Sequence, residues 1–377
     1  ERPDYIAAKD DDAKRAELSR KYQKNQKFID SVKRRATLIQ TGLVVMDHST
    51  GFINALVGAS PEAMKYNSES RYSLNHITQI RRQPGSSFKP FVYASALENG
   101  LTPGSEIESG PYSYTLPSGQ VWSPSGTGSE GGLVTLAYGL KLSINTVAAR
   151  LITQHTTPSE VILLAKKMGI TTPMDPFPTI ALGAEEVIPL DIVSAYGAFA
   201  NQGISVEPVS ITRIEDRFGT VLYEYKNNAK ITDAISPKIA QQMTSMMQGV
   251  VNGGTASGIR KWFKYDAAGK TGTTNDFTDA WFVGFTPQLV AGVWVGFDNQ
   301  RVKFTGWYGQ GGKAAAPIWG RLMAKIYSDP KLDFRKTRFG FPASPSDTLT
   351  PKDISSPPLE NTEPASTADS LKNKEPK

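Results

Sequence analysis

The sequence predicts an α/β fold of the α+β type: a central antiparallel β-sheet flanked by helices, with a mostly helical subdomain. Three observations predict it. Two β-rich runs stand near the start, at 42–47 and 52–58, a long helical middle follows, and three strand-like runs close the chain at 267–273, 280–286 and 289–297. A sheet assembled from both ends of the chain, with the middle folded over it, satisfies that order. No internal repeat at the roughly 20–50 residue periods of solenoids and propellers is present.

Residues 1–37 carry 11 Lys and Arg against 7 Asp and Glu, with Tyr5, Ile6, Leu18, Tyr22 and Phe28 as the few apolar anchors. Residues 1–38 therefore read as a solvated, helical linker. The chain opens on Glu1 rather than Met, and it is expected to be a piece of a longer protein. The runs 42–47 and 52–58 flank His48-Ser49-Thr50-Gly51 and read as a hairpin. Pro84-Gly85-Ser86 ends a loop and starts a helix through Phe91, Ala94 and Leu97 to Gly100. Residues 101–132 are rich in Gly, Ser and Pro and read as loop.

Thr135 caps a short helix, Ser143-Ile144-Asn145 interrupts it, and a second helix runs on through Val147, Ala148, Leu151 and Ile152. Apolar periodicity predicts helices at 159–168, 189–201 and 237–251, and a hairpin at 211–225 that turns between Asp216 and Gly219. The three C-terminal runs read as strands of alternating apolar and polar residues, and an apolar helix near 318–326 closes a domain placed at 39–330. The last 37 residues hold 7 of the 25 prolines, so 331–377 is expected to be a disordered tail.

Composition narrows the chemistry. The 377 residues are 39% hydrophobic and 21% charged, within globular norms. A net charge of +6 is too diffuse for a nucleic-acid binder. The absence of cysteine removes thiolate catalysis, disulfides and Cys-ligated metal sites. His48, His76 and His155 are the only histidines and are widely separated; His48 reads as turn chemistry and His155 as a helix-surface residue. No metal or cofactor is expected. No run approaches the ~18 apolar residues that a bilayer-spanning helix needs.

Three short motifs remain: Ser86-Ser87-Phe88-Lys89, Ser143-Ile144-Asn145 and Lys270-Thr271-Gly272. Each alone is weak, since Ser-x-x-Lys arises about once by chance in a chain this long. Together, in this order, with the first at a helix start, the second between helices and the third on a strand, the set is similar to that of class A β-lactamases and penicillin-binding proteins. The chemistry fits each residue. Positions i and i+3 share a helix face, so Lys89 projects beside Ser86, whose hydroxyl needs a base to become a nucleophile. Lys89 is that base only if desolvation or a nearby cation lowers its pKa, and Lys270 supplies the cation. Ser143 shuttles a proton between the lysines and a leaving amine. Asn145 holds a substrate peptide group and Lys89. The N–H groups of Ser86 and Thr273 form the oxyanion hole. Gly272 lets a substrate backbone approach the strand, and Thr271 and Thr273 with Lys270 take a substrate carboxylate. Thr274 is placed with them on the substrate side.

The likeness extends beyond the motifs. The run from Leu74 to Tyr93, containing Arg81-Arg82-Gln83-Pro84-Gly85-Ser86, resembles the nucleophile segment of class A penicillin-binding proteins, the bifunctional peptidoglycan synthases. So do Gly269-Lys270-Thr271-Gly272-Thr273-Thr274 with Asp279-Ala280-Trp281-Phe282-Val283-Gly284, and the stretch from Leu182-Gly183 to Gln202-Gly203. The likeness spans roughly residues 40–327. It implies a β-lactamase/transpeptidase-like fold and a D,D-transpeptidase. Such an enzyme releases the terminal D-Ala of a stem peptide, holds the remainder as an ester on Ser86, and passes it to an amine acceptor. β-Lactams are implied as covalent inhibitors of the same serine. The resemblance further implies a membrane anchor and a glycosyltransferase domain outside these residues, and a place on the outer face of the cytoplasmic membrane. One departure is Trp122-Ser123-Pro124-Ser125, where members often carry Trp-x-Pro-x-Asn, followed by a Gly-rich stretch at 126–132. Three alternatives stay open: a D,D-carboxypeptidase, a β-lactam sensor, and a β-lactamase using Glu130, Glu185 or Glu186 to activate water.

Overall fold

The computed structural model describes residues 3–62, 74–116, 118–124, 126, 131–226, 228–274, 276–332, 334 and 337–340. In chain order the main elements are α1 Pro3–Ala7, α2 Asp12–Gln23, α3 Gln26–Ala36, β1 Gln40–Asp47, β2 Ile53–Val57, α4 Lys89–Glu98, α5 Leu136–Lys141, α6 Asn145–Arg150, α7 Pro158–Lys167, α8 Pro189–Ala200, α9 Pro237–Gly253, β3 Ala268–Thr273, β4 Asp279–Phe285, β5 Leu289–Gly296 and α10 Ala316–Ser328. The expected helices and hairpins all form. Short strand pairs add detail to the stretch read as loop, such as Glu106–Glu108 with Leu133–Thr135.

The five long strands make one antiparallel sheet in the order β3-β4-β5-β1-β2. Both ends of the chain build it, as the sequence predicts. The junction runs from Gln40 opposite Gly296 to Asp47 opposite Leu289. One expectation is corrected. β4 and β5 do not alternate: every residue of both is buried. Helices α8 and α10 cover β4 and β5 on their two sides, so neither face of these two strands meets water and each is a nearly continuous apolar run. Gly292 of β5 leaves room for Val193 of α8, whose methyl would lie 2.0 Å from a Cβ there. Trp319 of α10 donates its indole N–H to the Ala291 carbonyl at 3.1 Å.

Helix α4 is buried along nine of its ten residues and forms the axis of the helical part. A helix apolar on all sides belongs in a core, and the chemistry of its first residue, Lys89, is therefore set in a dry environment. Contacts run on past the boundary expected at 330. Phe334 packs on Tyr327, Phe339 packs on Phe285, and Phe339 N–H donates to Asp266 at 3.2 Å, so the domain continues through Phe339. Of the tail expected at 331–377, residues 341–377 lie outside the described residues.

Candidate active site

Ser86 lies on a single 3-10 turn, Gly85–Phe88, immediately before α4. Gly85 adopts φ +54°, and a Cβ there would fall 2.5 Å from the Thr273 carbonyl oxygen. Only glycine fits both demands. Gly183, at φ +71°, packs on the other side of this turn, where a Cβ would meet the Gly85 carbonyl at 2.1 Å. Gly272 faces the Pro84 carbonyl, 2.3 Å from its ideal Cβ. The space a side chain would take at Gly272 is thus filled by the nucleophile turn itself.

The two serines of the turn differ. Ser87 is fully buried, its Oγ donates to the Pro84 carbonyl at 2.7 Å, and its own carbonyl accepts the Tyr196 hydroxyl at 2.5 Å. Ser86 is partly exposed, and among the described residues neither its N–H nor its Oγ makes a hydrogen bond. One serine is committed to the fold and the other is available.

Ser143-Ile144-Asn145 lies at the end of α5. The Ser143 N–H donates to Leu140 O at 3.1 Å and the Ile144 N–H to Gly139 O at 2.9 Å. That pair of bonds is a Schellman C-cap, whose left-handed position is usually glycine. Here Ser143 holds it, at φ +61°. A side chain in that conformation costs about 1–2 kcal/mol. The hydroxyl it carries sits between two lysines. Lys89 Nζ lies 3.2 Å and Lys270 Nζ 2.9 Å from Ser143 Oγ. Lys89 Nζ also donates to Ser143 O at 2.5 Å and to Asn145 Oδ1 at 2.7 Å, and Lys270 Nζ donates to Thr271 O at 3.1 Å.

Both lysines are fully buried. Burial, reinforced by the neighbouring Lys270, holds the Lys89 amine well below its ordinary range. Burial alone pushes Lys270 down to about 7. A neutral amine has two N–H donors and one lone pair. In that neutral form, two N–H donors on the Ser143 and Asn145 oxygens would leave the lone pair facing Ser143 Oγ.

Strand β3 is the edge of the sheet. Thr274 N–H donates to Asp279 O at 3.2 Å, which makes those two a hydrogen-bonded pair. Pairs alternate in an antiparallel ladder, so Thr273, opposite Ala280, turns its N–H toward the free edge. That edge runs beside the Ser86 turn. Strand alternation puts Lys270 and Gly272 on one face of β3 and Thr271 and Thr273 on the other. Thr273 Oγ1 accepts the Gly311 N–H at 3.0 Å and keeps its own proton, whereas Thr271 Oγ1 shares a hydrogen bond with Thr255 Oγ1 at 2.7 Å. Thr274 is drawn elsewhere: its buried hydroxyl accepts the N–H groups of Thr278 and Asp279, at 3.1 and 3.0 Å, and shapes the turn into β4.

A family model described as "Penicillin binding protein transpeptidase domain" matches residues 41–324. The chain belongs to that family. The transpeptidase domain is 38% identical to penicillin-binding protein 1A of Neisseria meningitidis over 288 residues, covering 75% of this chain and 35% of that protein. It is 39% identical to penicillin-binding protein 1A of Aquifex aeolicus over 305 residues, 78% of this chain and 39% of that protein. The chain thus spans little more than a third of these relatives. Among solved structures, penicillin-binding protein 1A from Haemophilus influenzae superposes with a TM-score of 0.72 at 29% identity, covering 81% of this chain and 49% of that one. PonA1 from Mycobacterium tuberculosis, in complex with penicillin V, gives 0.67 at 22% identity over 87% and 94% of the two chains, a likeness of fold. The class A resemblance and the β-lactamase-like fold expected from the motifs both hold.

Sequence reasoning assigned no role to several residues that build this transpeptidase site. Gly85 and Gly183 let the nucleophile turn touch β3 and the 178–183 segment backbone to backbone, and Gly311 does the same for its own segment against β3 and β4. Thr255 braces Thr271 from the end of α9. Gly126 lies against Asn145, where a Cβ would come within 2.7 Å of Nδ2, so the start of the Gly-rich stretch reaches the Ser143-Ile144-Asn145 segment. His76, unassigned from sequence, is buried, with Nε2 2.7 Å from Asp298 Oδ1 and its ring stacked on Trp294. His48 is buried at a turn, as read, with Nε2 3.0 Å from Pro287 O. The available signals were the unusual glycine density and one acidic residue, Asp279, opening an apolar strand.

Proposed function

We propose that this domain is a D,D-transpeptidase acting through an acyl-enzyme on Ser86. The observation that carries the reading is the pair of buried lysines sharing Ser143 Oγ beside a serine whose hydroxyl is uncommitted. Ser86 Oγ attacks the carbonyl carbon of the penultimate D-Ala in a stem peptide. Its proton passes to Lys89, and the developing oxyanion is met by the Ser86 and Thr273 N–H groups. On collapse, the C–N bond breaks and the departing D-Ala amine takes a proton from Ser143, which Lys270 or Lys89 replaces. An acceptor amine then attacks the Ser86 ester, loses a proton along the same relay, and leaves as a new amide with Ser86 restored. Asn145 and the free edge of β3 align the donor, and the Thr273 hydroxyl, next to Thr271, meets its terminal carboxylate.

β-Lactams are proposed to acylate the same serine, in keeping with the penicillin V complex of PonA1. A membrane anchor and a glycosyltransferase activity, which the class A likeness implies, would reside outside these residues. They would place the domain on the outer face of the cytoplasmic membrane. The test is product analysis with a D-Ala-D-Ala stem-peptide donor and an amine acceptor. Release of D-Ala with a new amide, and a Ser86-linked peptide on trapping, is the expected result. Release of D-Ala with only the hydrolysed stem peptide would make the domain a D,D-carboxypeptidase. No Ser86 adduct with donor or penicillin would overturn the acyl-transfer reading.

A further inference from the structure

The geometry points to Asp279 as a positioning residue that fixes the spacing of the two oxyanion donors, the N–H groups of Ser86 and Thr273. The inference rests on the acyl-transfer reading above. Asp279 opens β4, a strand otherwise made of Ala, Trp, Phe, Val and Gly, and is 3% exposed. A carboxylate there is costly unless its oxygens are engaged. They are: Oδ1 accepts the Trp294 indole N–H at 2.8 Å and Oδ2 accepts the Thr278 hydroxyl at 2.8 Å. Arg82 Nε stands 3.9 Å from Oδ1 and is equally buried.

From this point two links diverge. One runs to Thr273. The Asp279 N–H donates to Thr274 Oγ1 at 3.0 Å, and its carbonyl accepts the Thr274 N–H at 3.2 Å. The residue directly after Thr273 is thereby clamped by Asp279. The other link runs to Ser86. Arg82, four residues upstream, donates from Nη2 to the carbonyls of Phe297 and Asp298 at 2.7 and 3.1 Å and exchanges backbone bonds with Val187 at 3.1 and 2.9 Å. Between Arg82 and the nucleophile, the Gln83 carbonyl accepts the Trp281 indole N–H at 3.0 Å. Asp279 thus joins the segment before Ser86, through its carboxylate, to the turn after Thr273, through its backbone and through the Thr278 hydroxyl, which bonds both Asp279 Oδ2 and Thr274 Oγ1. Catalysis by fixed dipoles depends on that spacing, and a displacement of about 1 Å costs on the order of 100-fold in rate.

Asp279→Asn tests this in the full chain. Asn keeps an acceptor for Trp294 and a partner for Thr278 while removing the charge that holds Arg82. With penicillin, the acylation rate constant is expected to fall by about 30-fold or more, while the dissociation constant of the complex before acylation stays within about threefold. Thr274→Val, which leaves the carboxylate intact and breaks the other link, should show the same split. Trp294→Phe removes one hydrogen bond of equal burial and should lower the melting temperature with acylation within about threefold of wild type. Asp279→Asn and Thr274→Val enzymes that acylate normally overturn the inference alone. So does a Trp294→Phe enzyme as slow as Asp279→Asn, because general loosening would then account for the loss. A wild-type chain that forms no Ser86 adduct overturns the underlying reading as well.

Discussion

Lys270 Nζ lies 2.9 Å from Ser143 Oγ, across 127 residues of sequence, with both lysines of the cleft desolvated around that one hydroxyl. The arrangement lets Lys270 lower the pKa of the Lys89 amine, and the proposed mechanism has it supply a proton to Ser143.

The two lysines should fail differently. Lys89→Arg is expected to show no penicillin acylation at any accessible pH, because arginine does not lose its proton. Lys270→Arg keeps a charge and should retain measurable acylation. Lys270→Ala should be slower, and its acid limb should move to higher pH, because the cation that lowers the Lys89 pKa is gone. Acylation rate against pH for the three variants measures this. An active Lys89→Arg enzyme would contradict the base assignment.

Fold stability should also report the buried amines. Lys270 titrates near 7 in the folded chain and near about 10.4 unfolded. Between those values the unfolded chain binds a proton that the folded chain does not, so stability rises with pH. The contribution is complete above the unfolded value, is lost as pH falls, and is gone by about 7. The melting temperature should therefore climb from about pH 7 to pH 9.5, and Lys270→Met should flatten the climb. An equal slope in the variant would show that Lys270 is charged when folded.

Ser86→Ala should abolish labelling by a fluorescent penicillin. Ser87→Ala should keep most of it and melt lower, since the Pro84 carbonyl loses its shorter bond and keeps only the Ser87 N–H at 3.3 Å, at a cost of about 0.5–1.5 kcal/mol. Labelling that survives in Ser86→Ala would remove the nucleophile assignment.

Ser143→Ala and Ser143→Gly both lose the shared hydroxyl, and both should acylate at least about 100-fold more slowly. They should differ in stability. At φ +61° glycine is unstrained and alanine is not, so the Gly variant should be the more stable by about 1 kcal/mol in denaturant titration. Equal stabilities would mean that the left-handed cap carries no strain.

What was legible in the sequence was chemistry with fixed spacing. Lys89, Ser143, Asn145 and Lys270, which the structure brings together, were expected from three motifs whose short internal spacings follow helix and strand geometry. The split origin of the sheet was legible because β-rich runs cluster at both ends. The burial of β4 and β5 on both faces was not, since it depends on which helices return to cover them. Nor were the roles of Gly85, Gly272 and Gly183, whose meaning lies in backbones of other segments. Thr274 was read with the substrate group by adjacency, but strand geometry turns it into the fold. Asp279 and Arg82 stood in the sequence 197 residues apart with nothing to connect them.

The pairing of β1 with β5 has a consequence for how the chain comes into being. The Thr41 hydroxyl bonds to the Trp294 carbonyl, 253 residues further on. During synthesis at about 5–20 residues per second, the first hairpin must wait tens of seconds with an unpaired edge before its neighbour exists. Lys270 follows Ser143 by 127 residues, so a nascent chain carries Ser86 and Lys89 long before it carries the second lysine. If the proposed mechanism holds, partly made copies would remain inert toward the acylating agents the finished site would meet.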